Sequence, residues 1–280
     1  MTKTVKVGIV KAGCLGSLPL LEFLLDERAE REDIEVTVVG TGAKVIKSQC
    51  IDAAKCMVEK KPDLIILIGP AQPTPGPTEA RKILAESGIP TIVISDSPMR
   101  KITADIEEAG MGWILVNADS MIGARREFLD PIEMALFNTD LIRVLACTGV
   151  LNKIRKTIDT MIEEIKRGEK PNLPRLTINK ETAIATAGFS NPYALAKARA
   201  AHEISRRVAG LNIEACFKLA EWESYTSIAA SGHEMMRYAA KLADEARELE
   251  KATDSLLREP HFDDGTIGTK RRLIEKPKKP

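Results

Sequence analysis

The chain has 280 residues, with 41 basic and 40 acidic side chains and a net charge of +1. This length suffices for one large domain or two smaller ones with a sizeable core. The balanced charge argues against a nucleic-acid-binding protein. Aromatic residues make up only 4% of the chain, which argues against base stacking as its mode of action.

The N-terminal pattern, the apolar runs and the cysteines predict a cytoplasmic protein that does not span a membrane. The N-terminus enters a strand-like run at once and lacks a signal-peptide pattern. No apolar run approaches the roughly 18 residues that span a bilayer. The five cysteines contain no C-x-x-C pair, so we expect reduced thiols and no metal site.

Strand-like and helix-like segments alternate through the first 117 residues. The near-continuous apolar runs are typical of strands buried in a parallel sheet. We therefore predict a doubly wound α/β domain over residues 1–120. Its strands are predicted at Val5–Val10, Ile34–Val39, Leu64–Ile68, Thr91–Ile94 and Trp113–Val116, with helices near 18–30, 46–60, 78–87 and 100–109.

The pattern changes after residue 120, where a helix bundle is predicted over 121–170 and 230–258. Asp130 can cap a helix, Pro131 suits its first turn and Glu133 has capping-box spacing. This helix is predicted to run to about 147, and another from about 150 to 167. The last and longest helix is predicted over 231–257, with a heptad-like seam of Met235, Ala239, Leu242, Ala246 and Leu249.

Residues 171–229 are predicted to form a small sheet segment with one helix. Alternation over Arg175–Ile178 favours an exposed strand. Asn191 and Pro192 open a helix that is predicted to stop at Gly210, and 213–219 is predicted to supply a second strand. Residues 259–280 are polar and basic and are expected to form a weakly ordered surface tail.

Two loops of the first domain have the composition of ligand-binding turns. Gly13, Cys14 and Gly16 follow the first strand, where a glycine-rich turn can present N–H groups to an anion. The spacing is G-x-x-G, not the dinucleotide fingerprint, and the second strand lacks the acidic residue of an NAD site. Thr41 and Lys44 leave an NADP phosphate site open, and a tight turn without a ligand is the alternative.

Two further strand ends add candidate residues. Gly69 and Pro70 begin a proline-rich loop that can support a flat apolar ring, with a rigid connector that binds nothing as the alternative. Asp96 follows the fourth strand and either orients a ligand or caps the next helix. A basic pair, Arg125 and Arg126, follows the fifth strand and suits a polyanionic cofactor or an acidic substrate. A salt bridge is the alternative for this pair.

The segment around His233 begins like a zinc motif but has Arg237 in place of the second histidine. A metal site is therefore disfavoured. On a helix, His233 and Arg237 share a face and Glu234 can pair with Arg237, so a polar patch at a helix start is the alternative to a ligand site. No motif for a covalent nucleophile is present.

These segments together resemble the coenzyme F420-dependent methylenetetrahydromethanopterin dehydrogenase family over nearly the whole chain. The most specific stretches are Leu25–Ala29, Gly40–Lys44, Gly123–Pro131, His233–Arg237 and Ala246–Lys251. The chain departs from many relatives in the turn Ala12–Gly16, at Gln72 of the proline loop and at Thr41.

The resemblance implies an archaeal enzyme of one-carbon metabolism and methanogenesis. It would transfer hydride reversibly from methylenetetrahydromethanopterin to coenzyme F420, without a metal or a covalent intermediate, as a hexamer built from a trimer of dimers. We then expect Gly13, Cys14, Gly16, Thr41, Gly69 and Pro70 to bind the cofactor. We expect Arg125, Arg126 and Arg237 to bind acidic groups, and Asp96, His233 and Glu234 to orient the reactants. The alternatives are NADP as acceptor or a non-catalytic pterin-binding oligomer.

Overall fold

The computed structural model describes residues 4–25, 31–121 and 130–280, with the side chains of 23–25 excluded. The chain forms two compact units. The first comprises Met1–Val116, Ile154–Thr177 and His261–Thr266, and the second comprises Asn117–Lys153, Ile178–Pro260 and Ile267–Pro280.

Six parallel strands form the sheet, in the order β2-β1-β3-β4-β5-β6. The chain moves outward from β1 in both directions, so the strand order reverses between β1 and β3, where open α/β sheets form a ligand crevice at their carboxyl ends. The doubly wound α/β prediction is confirmed. The strands are β1 Val5–Lys11, β2 Ile34–Gly40, β3 Leu64–Ile68, β4 Thr91–Ser95, β5 Gly112–Val116 and β6 Arg175–Ile178.

Alternate strand residues build the core on one face of this sheet. Val10, Leu67 and Val93 pack there with Met57 and Leu84 from the helices that follow β2 and β3, and all five side chains are buried. The inner strands β3 and β4 are buried along their whole length, as is usual in parallel sheets, whereas the edge strands β2 and β6 are largely or partly exposed. The helices are α1 Ser17–Leu25, α2 Lys47–Lys60, α3 Pro75–Glu86 and α4 Thr103–Glu108, with a 3₁₀ turn at Ser97–Ile102.

The second unit is helical, and the helix Val150–Lys166 (α6) begins in it and ends in the first unit. Asp130 caps α5, because its Oδ1 accepts hydrogen bonds from the N–H groups of Ile132 (2.7 Å) and Glu133 (2.8 Å), which confirms the predicted helix start. The helices are α5 Pro131–Cys147, α6 Val150–Lys166, α7 Lys180–Ala187, α8 Pro192–Phe217 and α9 Trp222–Ala252.

The predicted strand over 213–219 is wrong, because α8 continues through Gly210 to Phe217. Gly210 is exposed with open space around its Cα, and the buried Asn212 and Ala215 carry the helix's inner face onward. Burial there outweighs the low helix propensity of one glycine. The other predicted strand is present as β6, and it joins the main sheet.

The buried face of α9 is shifted from the predicted seam. Ala239 and Ala246 are buried as expected, but Met236, Ala240 and Ala243 complete the buried face. The predicted seam residues Met235, Leu242 and Leu249 are only half-buried. Small side chains on the inner faces of α8 and α9 allow the two helices to approach closely.

The C-terminal segment is not the weakly ordered tail that we expected. His261 is buried, and its Nε2 lies 2.9 Å from Oδ2 of Asp159 in the first unit. In the second unit, backbone bridges join Arg258 to Lys270 and Thr269 to Lys278. Specific contacts within each unit therefore fix this segment.

Among the described residues, no single helix is long and apolar enough to cross a membrane. The bent pair of α5 and α6 meets that length and composition test only when the two helices are taken together.

Candidate functional site

The loops after β1 and β2 meet at the carboxyl end of the sheet. The N–H of Gly13 donates to Oγ1 of Thr41 (3.1 Å), and the Thr41 hydroxyl donates to the carbonyl of Lys44 (2.5 Å). Gly13 has a φ of +81°, and a Cβ there would lie 3.2 Å from Cδ of Pro70. The structure thus brings Gly13, Thr41 and Pro70 together, and Thr41 joins the first two loops.

The six residues predicted to bind the cofactor fall into two groups by solvent exposure. Gly13, Gly16, Gly69 and Pro70 are buried, whereas Cys14 and Thr41 are partly exposed. The four buried residues, called the loop floor below, shape this end of the sheet through packing. Of the six, only Cys14 and Thr41 present a side chain with exposed surface.

The Cys14 thiol is a poor nucleophile in this setting. Burial raises its pKa, and the opposing charge of Lys11 lowers it by less. A thiol with a raised pKa is protonated at neutral pH and reacts slowly.

Asp96 fixes the proline-rich loop. Its Oδ1 accepts a hydrogen bond from the N–H of Ala71 (3.3 Å) and lies 3.1 Å from the Ser95 hydroxyl, which itself lies 2.7 Å from the carbonyl oxygen of Gly69. Asp96 is buried, and its side chain makes no capping hydrogen bond to the following 3₁₀ turn. The capping alternative is therefore wrong, and the contacts of Asp96 indicate that it shapes the loop.

Gln72 and Arg81 form a second set of hydrogen bonds that fixes the same loop. The sequence did not indicate this pairing. Nη1 of Arg81 donates to the carbonyl oxygen (2.7 Å) and to Oε1 (2.8 Å) of Gln72, and both residues are buried. Nε2 of Gln72 donates to the carbonyl of Gly69 (3.1 Å). Burial lowers the pKa of Arg81, but a guanidinium stays charged at neutral pH. Gln72 therefore points into the protein.

His233 lies inside the helical unit. Its ring stacks on Phe137 with a centroid distance of 4.3 Å, and its Nδ1 lies 3.5 Å from Oε2 of Glu133. Burial lowers the pKa of His233, and the neighbouring Glu133 opposes this effect. The ring is therefore predominantly neutral at pH 7.

Glu234 and Arg237 are exposed and form an ion pair with an N···O distance of 3.5 Å. The predicted pairing is thus present, and His233 differs from these two residues in burial, because it lies in the contact between α5 and α9. Among these three residues, Glu234 and Arg237 are the ones that solvent reaches.

The predicted basic pair, Arg125 and Arg126, lies outside the described residues. The residues immediately before it include two polar side chains that the sequence analysis did not select. Asp119 and Ser120 follow β5 and are buried, and Oδ1 of Asp119 accepts a hydrogen bond from the N–H of Ser120 (2.9 Å). Their position directly after a parallel strand is the sequence feature that could have identified them.

An open groove of about 340 Å³ lies beside the carboxyl end of β2. Its lining includes Thr41 and Asp52 and contains no lysine or arginine. The Thr41 hydroxyl already donates to a backbone carbonyl. Neither observation favours an NADP phosphate at this position.

No group of three or more histidine, cysteine, aspartate or glutamate side chains that could hold a metal occurs within residues 4–25, 31–121 and 130–280. The described candidates are instead polar backbone turns and separate side chains in each unit.

Comparisons with known proteins agree over nearly the whole chain. The profile of the methylene-5,6,7,8-tetrahydromethanopterin dehydrogenase family matches residues 5–278. An F420-dependent methylenetetrahydromethanopterin dehydrogenase of Methanocaldococcus jannaschii is 50% identical over 274 residues, which cover 98% of this chain and 99% of the relative. The enzyme of the same name from Archaeoglobus fulgidus is 50% identical over 273 residues, with the same coverage.

The fold of this chain is similar over its whole length to that of a solved structure. It is an F420-dependent methylene-tetrahydromethanopterin dehydrogenase in complex with methylene-tetrahydromethanopterin and coenzyme F420. The TM-score is 0.95 at 45% sequence identity, and the match covers 99% of this chain and 100% of that one.

Proposed function

The chain belongs to the methylene-5,6,7,8-tetrahydromethanopterin dehydrogenase family, and on that premise we propose that it transfers hydride reversibly between methylenetetrahydromethanopterin and coenzyme F420. The observation that carries this proposal is the full-length similarity to a structure that holds both reactants. The products are methenyltetrahydromethanopterin and reduced F420, in archaeal one-carbon metabolism.

The chemistry fits a site without a nucleophile or a described metal cluster. Hydride leaves a methylene carbon between two nitrogens, the remaining cation is delocalised over N–C–N, and F420 accepts the hydride at C5. The protein has to hold two flat ring systems at reaction distance and limit access of water. A floor built from fixed loops is suited to this task.

For the cofactor, we propose that the loop floor and Thr41 shape its binding site and that Cys14 contacts it. The hydrogen bonds of Asp96 to Ala71 and of Arg81 to Gln72 support this assignment, because they fix the adjacent proline-rich loop before a ligand arrives. Asp96 then acts by positioning this loop. Preformed loops reduce the entropy that is lost when a ligand binds.

For the acidic groups of the reactants, we propose Arg125, Arg126 and Arg237 as binding residues, with Glu234 and His233 as orienting residues. Arginine suits the phosphate and carboxylate groups that such ligands carry. The exposure of Arg237 and Glu234 supports ligand contact, and the stacked position of His233 supports an indirect role through α5.

Replacing Arg126 with alanine tests the basic pair. We expect the Michaelis constant of one reactant to rise about 10- to 100-fold, the equivalent of a charge-assisted contact of roughly 1.5–3 kcal/mol, while kcat changes little. Steady-state kinetics with each reactant varied in turn measures this. The exposed Arg247→Ala is the control, and unchanged Michaelis constants in Arg126→Ala would remove Arg126 from the site.

The choice of acceptor tests the function itself. Purified protein is mixed with methylenetetrahydromethanopterin and either F420 or NADP, and the absorbance of each acceptor is followed. We expect turnover with F420 alone. Turnover with NADP alone would contradict the proposed acceptor, and tight pterin binding without turnover would favour a non-catalytic binding protein.

We further propose that the protein is cytoplasmic and forms a hexamer, as a trimer of dimers. Five cysteines without a disulfide support a reducing compartment. Large exposed apolar side chains on α5 and α9, including Ile132, Leu136 and Tyr238, support self-association. Light scattering that gives the mass of a single 30.7 kDa chain would contradict the hexamer.

A further inference from the structure

The last residue of β1 places a lysine at the carboxyl end of the sheet. Lys11 lies in register with Gly40 of β2 and Ile68 of β3. β1 is one of the two strands between which the strand order reverses, and ligands of open α/β sheets bind at that point. The Lys11 side chain keeps 29% of its surface exposed, so a ligand there can reach its ammonium.

Gly40 and α1 determine where this side chain lies. A Cβ on Gly40 would stand 3.1 Å from Cβ and 3.7 Å from Cδ of Lys11, so the glycine leaves room for the aliphatic stem of the lysine beside β2. At the far end of the stem, Nζ of Lys11 lies 2.9 Å from Oε1 of Glu22 in α1. The stem and the ammonium are both held, so the position of the charge is defined before a ligand arrives.

The ammonium of Lys11 has hydrogen-bonding capacity beyond this ion pair. It carries three N–H donors, and Glu22 is the one partner that Nζ has among the residues that the structure describes. A second acceptor can therefore bind without displacing Glu22. An oxyanion is the acceptor that gains most, because a hydrogen bond between two charged groups is about twice as strong as one between neutral groups.

The charge of Lys11 acts on the turn that we propose for the cofactor. It opposes the rise that burial causes in the pKa of the Cys14 thiol, so it also favours an anion placed beside Cys14. Arg81, by contrast, donates to Gln72 inside the protein, and the loop floor consists of glycines and a proline. Of these two cations, Lys11 is therefore the one that offers its charge to a ligand.

We infer that Lys11 binds an oxyanion in the phosphate and glutamate tail of coenzyme F420, and that Glu22 positions its ammonium for this contact. The inference rests on the proposed function for the identity of the ligand. The alternative role of the pair is to join β1 to α1 as a half-exposed ion pair. Such a pair contributes little to stability and nothing to the choice of ligand.

The test compares F420 with the same deazaflavin stripped of its phosphate and glutamate tail. Lys11→Met keeps most of the stem and removes the charge. In this variant we expect the dissociation constant of F420 to rise about tenfold, as for the loss of one part-exposed, charge-assisted hydrogen bond. The dissociation constants of the tail-free deazaflavin and of methylenetetrahydromethanopterin are expected to change less than about twofold. Equilibrium dialysis with each of the three compounds measures these values.

Three further variants separate the charge from the packing. Lys11→Arg keeps a positive charge and is expected to bind F420 more tightly than Lys11→Met does. Glu22→Gln keeps an acceptor for Nζ but removes a negative charge that repels the ligand, so the dissociation constant of F420 does not rise. Lys197→Met is the matched control, because Lys197 and Glu245 form a similar pair (2.6 Å, with 35% and 39% of the side chains exposed) between α8 and α9. It leaves all three dissociation constants unchanged.

The inference is overturned if Lys11→Met lowers only the melting temperature, if it weakens the tail-free deazaflavin as much as F420, or if it weakens the pterin instead. It is also overturned if Glu22→Gln weakens F420 as strongly as Lys11→Met does. Turnover of the wild-type protein with F420, together with unchanged affinity in Lys11→Met, would leave the proposed function intact. Absence of turnover would contradict the proposed function, and the dissociation constants would still decide the role of Lys11.

Discussion

Asp33→Asn is expected to lower the free energy of unfolding by about 3–5 kcal/mol, the range for breaking a buried ion pair. Asp33 is buried directly before β2, and its carboxylate accepts hydrogen bonds from Nε (2.7 Å) and Nη2 (3.0 Å) of Arg31. Nζ of Lys166 lies 2.7 Å from its Oδ2. The amide keeps the shape of the carboxylate but removes the counter-charge that Arg31 and Lys166 share, which leaves Lys166 with Glu163 (2.7 Å) and Arg31 with Asp159 (3.7 Å).

The loss of stability caused by Asp33→Asn depends on pH, and the contacts of Asp33 determine the direction of this dependence. Burial opposes ionisation of Asp33, but hydrogen bonds from Arg31 and Lys166 outweigh it and lower the pKa of this carboxyl. Because this pKa is lower in the folded state, ionised Asp33 stabilises the protein at pH values above its unfolded-state pKa of about 4. This stabilisation is lost as the pH falls through the folded-state pKa.

At alkaline pH the same cluster loses stability through Lys166. Burial opposes its charge, but hydrogen bonds to Asp33 and Glu163 raise the pKa of Lys166 overall. Charged Lys166 therefore stabilises the protein at pH values below its unfolded-state pKa of about 10.4. This stabilisation is lost as the pH rises through the folded-state pKa. The stability difference between wild type and variant is therefore greatest in the neutral range.

Urea unfolding at several pH values measures this difference. The control is Glu59→Gln on the exposed side of α2, which removes one carboxylate and is expected to change stability by less than about 0.5 kcal/mol. Equal effects of the two substitutions at neutral pH, or a difference that does not shrink in acid, would contradict this account of Asp33.

Gly69→Ala is expected to damage both the fold and the site. A Cβ on Gly69 would stand 1.9 Å from the carbonyl oxygen of Ala12 and 2.7 Å from its carbonyl carbon, so the ends of β1 and β3 would have to separate. Over-packing of this kind costs about 1–3 kcal/mol or more. A shift of about 1 Å at the loop floor is expected to reduce kcat/KM about 100-fold.

Gly210→Ala is the matched control, because the same methyl group enters an exposed position of α8 with nothing within 4 Å. It is expected to raise stability by up to about 1 kcal/mol through helix propensity and to leave kcat/KM unchanged. Melting curves and steady-state kinetics compare the two variants. Wild-type kinetics in a folded Gly69→Ala would show that the close approach of β1 and β3 does not matter to catalysis.

The sequence predicted the parallel sheet and the start of α5 because their signals are local. Runs such as Leu64–Ile68 are hydrophobic on both faces, and Asp130 with Pro131 forms a cap within one turn. The end of α8 is not a local property, since Gly210 would end a helix if it were not followed by residues whose burial supports the next turns. The shifted face of α9 likewise depends on which small residues meet α8.

The candidate site was predictable only in part, for the same reason. Turns at strand ends identified Gly13 and Gly69, and the structure places both at the carboxyl end of the sheet. The contacts that fix these turns join residues apart in sequence, such as Ser95 with Gly69 and Arg81 with Gln72. Sequence patterns of single elements do not report such pairs, and they gave no indication that His233 stacks on Phe137.

Isotope tracing distinguishes direct hydride transfer from a route that exchanges hydrogen with solvent. Methylenetetrahydromethanopterin with deuterium on its methylene carbon is incubated with F420 and the protein in ordinary water, and the reduced F420 is analysed by mass spectrometry and NMR. We expect one deuterium of the substrate to appear at C5 of reduced F420. Reduced F420 that carries only solvent hydrogen at C5 would contradict it.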